Sequence, residues 1–195
     1  NGGIAVQAVI SSPPDGYTLI LGTTGSNTIN PVLQKNPLFR PLIDLTPVAL
    51  AAGYPLVLVV SLDLPVNDVT TLIDYAKRNP GKISYTTTGL GSLPHLAGEW
   101  FKALAIIDME AIHYKGDAAG IVDLIAGRVQ LGFTTAGVAM PQVKAGKIKG
   151  FAVTSAKRTN FAEGLPTVIE SGFPDFIVDV WNGFLGPAGL PKEIV

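Results

Sequence analysis

The chain has 195 residues, of which 47% are hydrophobic and 15% are charged, so it has enough apolar material for a core and is not typical of a disordered protein. Its net charge of −1, without a long basic run, argues against nucleic acid as a partner. Cysteine is absent, which excludes disulfides, zinc–thiolate sites and thiol catalysis.

The first 30 residues contain one polar segment that stands out. Residues 1–12 are typical of a helix end, residues 13–16 (PPDG) indicate a turn, and residues 17–22 (YTLILG) predict a strand that is apolar on both faces, as in a parallel sheet. The polar segment TTGSN, residues 23–27, follows this strand directly. In open α/β sheets ligands bind at such strand ends, although a solvated turn is the alternative interpretation.

Two strands and a helix are expected next. Residues 48–51 and 56–60 predict strands that are split by Gly53 and Pro55, and the whole apolar stretch is too short to span a membrane. The pattern of residues 69–78 then predicts a helix that the sequence NPG ends at residues 79–81.

The stretch from residue 84 to residue 104 (SYTTTGLGSLPHLAGEWFKAL) indicates a strand, a glycine loop and a helix. Gly89 and Gly91 permit unusual backbone angles, Ser92 suits the N-cap position, and Pro94 suits the first helical turn. Such a helix start presents backbone N–H groups and the positive end of a helix dipole, which together favour an anion. The alternative interpretation is an ordinary strand-to-helix connection.

The same pattern follows twice more. Strand 110–114 leads through a loop into helix 118–126, with Asp117 as the expected N-cap and Gly127 as the stop. Strand 129–134 then leads into helix 138–145. We therefore expect three strand–loop–helix units whose loops lie at one end of a parallel sheet.

The remaining residues predict a strand at 148–154, a brief helix at 168–171 and a strand within 176–185. The strands near residues 60 and 150 would both cross between two lobes. Lobe one would hold residues 1–60 and 150–195, and lobe two would hold residues 61–149. Two crossings form a hinge, and the cleft between lobes is a preferred place for a small ligand.

The sequence offers no clear catalytic group. The two histidines, His95 and His113, fit structural roles on a helix surface and in a strand. No nucleophile–base pair, dinucleotide fingerprint, P-loop or set of carboxylates at metal spacing is visible, so we expect neither a cofactor nor a metal. Lys115 is a possible anion partner, but a solvated loop lysine is the default interpretation.

Seven segments in order along the chain resemble the substrate-binding proteins of tripartite tricarboxylate transporters, also called the Bug family. They are PPDGYTLILG from Pro13, DLTPVAL from Asp44, YAKRNPGKISYTTTGLGSLPHLAGEWFK from Tyr75, HYKGDAAGIVDLIAGRVQ from His113, PQVKAGKIKGFAVTSAKR from Pro141, LPTVIESGFPDF from Leu165 and WNGFLGPAGLP from Trp181.

The resemblance implies an α/β, two-lobed periplasmic binding protein-like fold of type II, in which each lobe is a sheet flanked by helices and crossing strands join the lobes. It implies a periplasmic, non-enzymatic receptor that captures a small carboxylate in the cleft for the membrane carrier subunits of a transporter. A binding module that signals to a sensor partner is one alternative. An α/β enzyme acting on an anionic substrate is another, and the missing nucleophile–base pair argues against it.

The resemblance also implies which residues bind the ligand, with loops from both lobes facing each other across the cleft. They are Thr24, Gly25 and Ser26 in lobe one, and Thr87, Gly89, Gly91, Ser92, Thr134 and Thr135 in lobe two. Some family members place an acidic residue where this chain has Thr134, so a plain carboxylic acid is favoured over an amino acid. The chain begins with asparagine rather than methionine, and we expect it to lack N- and C-terminal portions that family members have.

Overall fold

A computed structural model describes residues 2–195; residue 1, where the predicted first helix begins, lies outside the described residues. The helices are α1 (Gly3–Ile10), α2 (Asn30–Leu33), α3 (Pro41–Asp44), α4 (Val69–Arg78), α5 (Leu93–Ala105), α6 (Asp117–Ile125) and α7 (Ala136–Lys144), with a π-helical turn at Thr24–Ile29 and a 3₁₀ turn at Asn160–Ala162. The strands are β1 (Ile20–Thr23), β2 (Leu45–Ser61), β3 (Ser84–Thr87), β4 (Glu110–His113), β5 (Leu131–Thr135), β6 (Ile148–Val153) and β7 (Asp179–Pro187).

The chain divides into two compact units. Among the described residues, unit one comprises residues 2–53 and Val180–Val195, and unit two comprises Tyr54–Asp179. The chain therefore returns to unit one after residue 179, about thirty residues later than the boundary at residue 150 that the sequence predicts. The reason is that residues 150–179 pack within unit two: β6 pairs with β2, and the buried Phe176 packs against the rings of Phe101 and Phe133.

Unit one contains an antiparallel strand pair. Strand β1 pairs with β7, with Ile20 opposite Leu185 and Thr23 opposite Asn182, and β7 lies between β1 and β2. The prediction of a parallel environment for residues 17–22 is wrong, because the partner strand comes from the far end of the chain and runs in the opposite direction. Leu21 is consequently half exposed rather than covered on both faces.

Unit two contains a mixed sheet. Strands β3, β4 and β5 are parallel with β3 in the middle, while β2 runs antiparallel to both β5 and β6. The strands of the three predicted strand–loop–helix units are thus parallel, which confirms that their loops lie at one end of the sheet. Tyr85, Phe101, Phe133 and Phe176 are fully buried beside this sheet.

Two predicted elements differ in detail. Residues 48–60 form one continuous strand instead of two, because Pro55 precedes the residues that pair with β5 and β6 and its missing N–H breaks no ladder bond there. Residues 168–171 form a turn instead of a helix, with the N–H of Ser171 donating to the carbonyl of Val168 at 3.1 Å.

One lysine holds the connection between β2 and α4. The Nζ of Lys149, on β6, donates hydrogen bonds to the carbonyl oxygens of Leu64 and Val66 at 2.7 and 2.8 Å. Helix α4 then begins at the N-cap Asp68, whose side chain accepts from the N–H of Thr71, and it ends at Arg78 as the sequence predicts.

Candidate functional site

The carboxyl ends of β3, β4 and β5 gather polar side chains at one edge of the unit-two sheet, here called the carboxyl edge. The register places Thr87 opposite His113, and β5 runs alongside β3 to end at Thr134 and Thr135. Because parallel strands all end on the same side, residues distant in sequence become neighbours here. The sequence predicts Thr87, Thr134 and Thr135 in this place, but it does not predict His113.

The segment 88–92, here called the glycine loop, joins β3 to α5. Gly89 and Gly91 have φ angles of 121° and 71°, in the region that side chains with a Cβ resist. Ser92 is the N-cap, and its Oγ accepts a hydrogen bond from the N–H of His95 at 3.4 Å. The predicted cap and the predicted helix start are therefore confirmed.

The amide groups of the glycine loop have partners within the chain. The N–H of Gly89 donates to Thr87 Oγ1 at 3.2 Å, and the N–H of Gly91 donates to His95 Nδ1 at 3.3 Å. The N–H of Ser92 donates to the carbonyl of Gly89 at 3.1 Å. An anion that uses these donors must therefore compete with existing acceptors, which the sequence analysis does not anticipate.

His95 and His113 lie together beside the glycine loop. Their ring centroids are 5.3 Å apart with an interplanar angle of 72°, and His113 Nδ1 lies 2.6 Å from Thr87 Oγ1. The pKa of His95 is lowered from its ordinary value, chiefly by burial and then by the charge of His113, while Glu99 acts in the opposite direction. The sequence interprets each histidine separately as structural, because their proximity depends on the register of β3 and β4.

Thr134 and Thr135 differ in what their hydroxyls contact. Thr135 donates through both its N–H (3.2 Å) and its hydroxyl (2.9 Å) to the carboxylate of Asp117. Asp117 therefore fastens the end of β5 to α6. The prediction that Asp117 is the N-cap of this helix is wrong, because Asp117 is its first residue and Gly116, with φ of 121°, is the N-cap. The side chain of Thr134 is 3% exposed, and its Oγ1 has no hydrogen-bond partner.

The predicted ligand segment of unit one forms a capped π-helical turn. Thr23 and Ser26 bond reciprocally: each side-chain oxygen accepts from the other residue's N–H, at 3.2 and 3.1 Å. The hydroxyl of Thr24 accepts from the N–H of Trp181 on β7 at 2.8 Å. A Cβ on Gly25 would meet only Thr23 Oγ1, at 3.8 Å, so this position is open.

Asn27 is a further polar residue in this turn that the sequence analysis does not assign to the site. It is 6% exposed, its Oδ1 accepts from the N–H of Thr23 at 3.3 Å, and its Nδ2 has no partner. Asn27 Nδ2 and Thr134 Oγ1 are the buried side-chain atoms without a partner in the described part of the chain. Unsatisfied buried donors are rare and favour a role in binding a polar group.

Residues 2–195 contain neither a candidate metal site nor a candidate membrane span. No cluster of three or more His, Asp or Glu side chains suits a metal ion. No helix among these residues has the length and apolar character needed to cross a membrane.

Comparison with known proteins places the chain in a family. Residues 1–195 match the model of TctC, the tripartite tricarboxylate transporter family receptor, and the chain belongs to this family. The fold is that of the periplasmic binding proteins to which it is similar. These comparisons confirm the family that the sequence segments indicate and the α/β fold class.

Three solved structures show the similarity in detail. Rpa4515 of R. palustris with adipate shares 38% identity with a TM-score of 0.90, over 99% of this chain and 64% of that one. The periplasmic binding protein BugD shares 35% identity with a TM-score of 0.86, over 99% and 64%. MatC from Rhodopseudomonas palustris with bound malate shares 27% identity with a TM-score of 0.86, over 99% and 66%. The chain spans about three fifths of the length of the curated relatives that it matches.

Proposed function

We propose that this chain is a periplasmic solute-binding protein that captures a small carboxylic acid and delivers it to the membrane carrier subunits of a tripartite tricarboxylate transporter. The observation that carries the proposal is the match to the receptor family over residues 1–195. Adipate and malate in two similar structures are both dicarboxylates, which supports this class of ligand. The protein acts as a receptor, and no chemical step is assigned to it.

The carboxyl edge of unit two supports the proposal chemically. Helix α5 has 13 residues, and its N-terminus presents a partial positive charge next to the glycine loop. Carboxylates are stabilised at such helix starts even without an arginine. The unpartnered hydroxyl of Thr134 supplies one more donor at the same edge. We propose that Thr87, Gly89, Gly91, Ser92 and Thr134 hold one carboxylate of the ligand.

The polar turn of unit one supports a second contact region. We propose that the Thr24–Ser26 segment binds the ligand with help from Asn27, whose buried Nδ2 still has donors to give. An amide N–H₂ suits a carboxylate or a hydroxyl group as acceptor. This assignment adds Asn27 to the residues that the family resemblance implies.

A panel of acids tests the proposal. The purified protein is screened by thermal shift against aliphatic mono- and dicarboxylates, and the best ligand is then titrated by calorimetry. A receptor is stabilised by its ligand through mass action, by about 2.7 kcal/mol at a hundredfold excess over Kd. Recovery of the acid unchanged after incubation supports a receptor, whereas reproducible product formation would contradict it.

A matched pair of ligands tests the chemical class. Adipate and 2-aminoadipate differ by one ammonium group, and this chain has a neutral threonine at position 134. We expect adipate to bind more tightly, because an ammonium needs an acceptor when it leaves water. Tighter binding of 2-aminoadipate would overturn the choice of a plain acid.

Replacement of Thr134 by valine tests the site itself. The variant removes the unpartnered hydroxyl with little change of shape, so we expect affinity for the best acid to fall about fivefold, the size of one ordinary hydrogen bond. Thr70→Val on the exposed face of α4 is the control and leaves affinity unchanged. Equal affinity of both variants would remove Thr134 from the site.

A further inference from the structure

The two glycine amides of the glycine loop are linked to the histidines, one directly and one through a threonine hydroxyl. Gly91 donates directly to His95 Nδ1, and Gly89 donates to Thr87 Oγ1, which in turn lies 2.6 Å from His113 Nδ1. The two rings are in edge contact at 5.3 Å. His95 thus holds one donor that the proposed function assigns to the carboxylate, and His113 contacts the hydroxyl that holds the other.

The hydrogen bond from Gly91 determines the tautomer of His95. Since Nδ1 accepts the hydrogen bond from the N–H of Gly91, the neutral ring carries its own hydrogen on Nε2. Addition of a proton from solvent to Nδ1 turns this nitrogen into a donor and breaks its bond with Gly91. The N–H of Gly91 and the new Nδ1–H then both seek an acceptor, and the ring carries a positive charge.

The surroundings of His95 lower its pKa and so favour the neutral ring. Burial lowers its pKa first, and the neighbouring His113 lowers it further. Glu99, one turn later on α5, raises it. From β3, the hydroxyl of Tyr85 lies 3.3 Å from the carbonyl of His95 and donates to Glu99, and the Tyr85 pKa is raised far above its usual range, so this ring stays uncharged.

We propose that His95 and His113 are positioning residues for the ligand, and that a carboxylate binds the glycine loop together with a proton taken up by this histidine pair. This inference rests on the proposed function, because it assumes that a carboxylate is the ligand. The negative charge of the ligand favours the protonated pair, and protonation of His95 releases the Gly91 amide to the ligand. The predicted ligand loops contain no arginine, and the protonated pair supplies a positive charge in its place.

The sign of the pH effect follows from linkage. In the free protein the pKa of His95 is lowered. We expect the charge of a bound carboxylate to raise it, so affinity should increase as the pH falls between these two values. Each unit of difference between the two pKa values changes the affinity by about tenfold. We therefore expect adipate, used as the probe, to bind at least about tenfold more tightly at pH 6 than at pH 8, a range in which its carboxylates are mostly ionised.

Calorimetry on the unmodified protein tests proton uptake. Titration of adipate in buffers of different ionisation enthalpy gives the number of protons taken up per ligand, without any mutation. The chain contains two histidines, and no other side chain has an ordinary pKa between 6 and 8, so uptake in this range points to them. Uptake that is greatest near the ordinary histidine pKa supports the proposal, and uptake of no protons overturns it.

Two conservative variants assign the effect to residues. In His95→Asn the side-chain oxygen can still accept from Gly91, and in His113→Asn it can still bond Thr87, but neither amide titrates. We expect both variants to lose most of the gain in adipate affinity between pH 8 and pH 6. Variants that keep the full pH dependence would overturn the assignment, and circular dichroism checks that each is folded.

Nuclear magnetic resonance on the protein without ligand separates this inference from the proposed function. The amide signal of Gly91 should shift with the same midpoint as the ring signals of His95, because protonation removes its acceptor. A Gly91 signal that ignores this titration would overturn the positioning role. Tight adipate binding without pH dependence rejects the histidine inference alone, whereas absence of binding by the whole acid panel at any pH rejects both proposals.

Discussion

Gly98 lies in α5 directly against the ring of Tyr85, and replacing it with alanine would make the new methyl group overlap with that ring. An ideal Cβ at this position lies 2.1, 2.5 and 2.6 Å from Cε2, Cζ and Cδ2 of Tyr85. Ordinary contacts between such atoms are about 3.5–4.0 Å. Tyr85 is fully buried and its hydroxyl donates to Glu99 Oε1 at 2.7 Å, so the ring has no free direction in which to move.

The magnitude of the effect follows from three contributions. Overpacking a core usually costs about 1–3 kcal/mol. Displacement of the ring also weakens its hydrogen bond to a charged carboxylate, which contributes about 1.5–3 kcal/mol. Alanine regains up to about 1 kcal/mol because it is a better helix former than glycine. We expect a net loss of about 2–4 kcal/mol in the free energy of unfolding, and a fall in Tm of roughly 5–15 °C for a chain of this length.

Chemical and thermal unfolding followed by circular dichroism measure this loss, and Gly137→Ala is the matched control. Gly137 also lies in a helix, α7, but a Cβ there has nothing within 4 Å. This variant should be neutral or stabilised by up to about 1 kcal/mol. If Gly98→Ala were as stable as Gly137→Ala, the contact between α5 and the Tyr85 ring would not have the closeness described, and the reasoning would fail.

Three further changes have expected outcomes. Gly91→Val should weaken binding of the best acid at least about tenfold, because a β-branched residue resists a φ of 71° and strain of this kind costs about 1–3 kcal/mol; Lys115→Ala, at an exposed position, should cost less than about 1 kcal/mol of binding free energy. Lys149→Met should lower the free energy of unfolding by about 1–3 kcal/mol in urea, because two backbone carbonyls lose their charged donor. Hydrogen bonds from Arg158 lower the pKa of Glu170, so the Tm advantage of the unmodified protein over Glu170→Gln should be present at pH 7 and disappear as the pH falls below the ordinary value of 4.5.

Each of these outcomes has a result that would contradict it. Loss of binding in Lys115→Ala, with normal binding by folded Gly91→Val, would mean that side-chain charge holds the anion. Lys147→Met, at an exposed position just before β6, is the control for Lys149→Met, and equal unfolding curves for the two would refute the role of the Lys149 side chain. A Tm difference for Glu170→Gln that stays constant from pH 7 to pH 3 would exclude Arg158 as its cause.

The elements that short-range chemistry determines could be predicted from the sequence. Helix α4 runs from Val69 to Arg78 as predicted, because its Asp68 cap and the stop after it are signals within a few residues. The start of α5 at Ser92 and Pro94 follows for the same reason. The parallel order of β3, β4 and β5 follows from the repeated strand–loop–helix pattern.

The features that depend on distant partners could not be predicted. The direction of β1 is set by β7, which lies about 160 residues later, and the unit boundary at Val180 is set by the packing of Phe176. At the candidate site, the sequence predicts the glycine loop but not the hydrogen-bond acceptors of its backbone N–H groups. Their acceptors include His95, whose ring orientation no pattern encodes, and the neighbouring His113 is brought there by strand register alone.

The discontinuity of unit one has a consequence for the order in which the protein can be built. Unit two is one continuous segment, so a chain leaving the ribosome holds all of it before residue 180 is made. Unit one must wait, because β1 has no partner until β7 exists and Thr24 bonds a residue 157 positions later. We therefore expect β1 and the Thr24–Ile29 turn to remain without their partners until β7 has been made. Hydrogen exchange on nascent chains that stop at residue 179 would measure this, with protection expected in unit two and absent from β1.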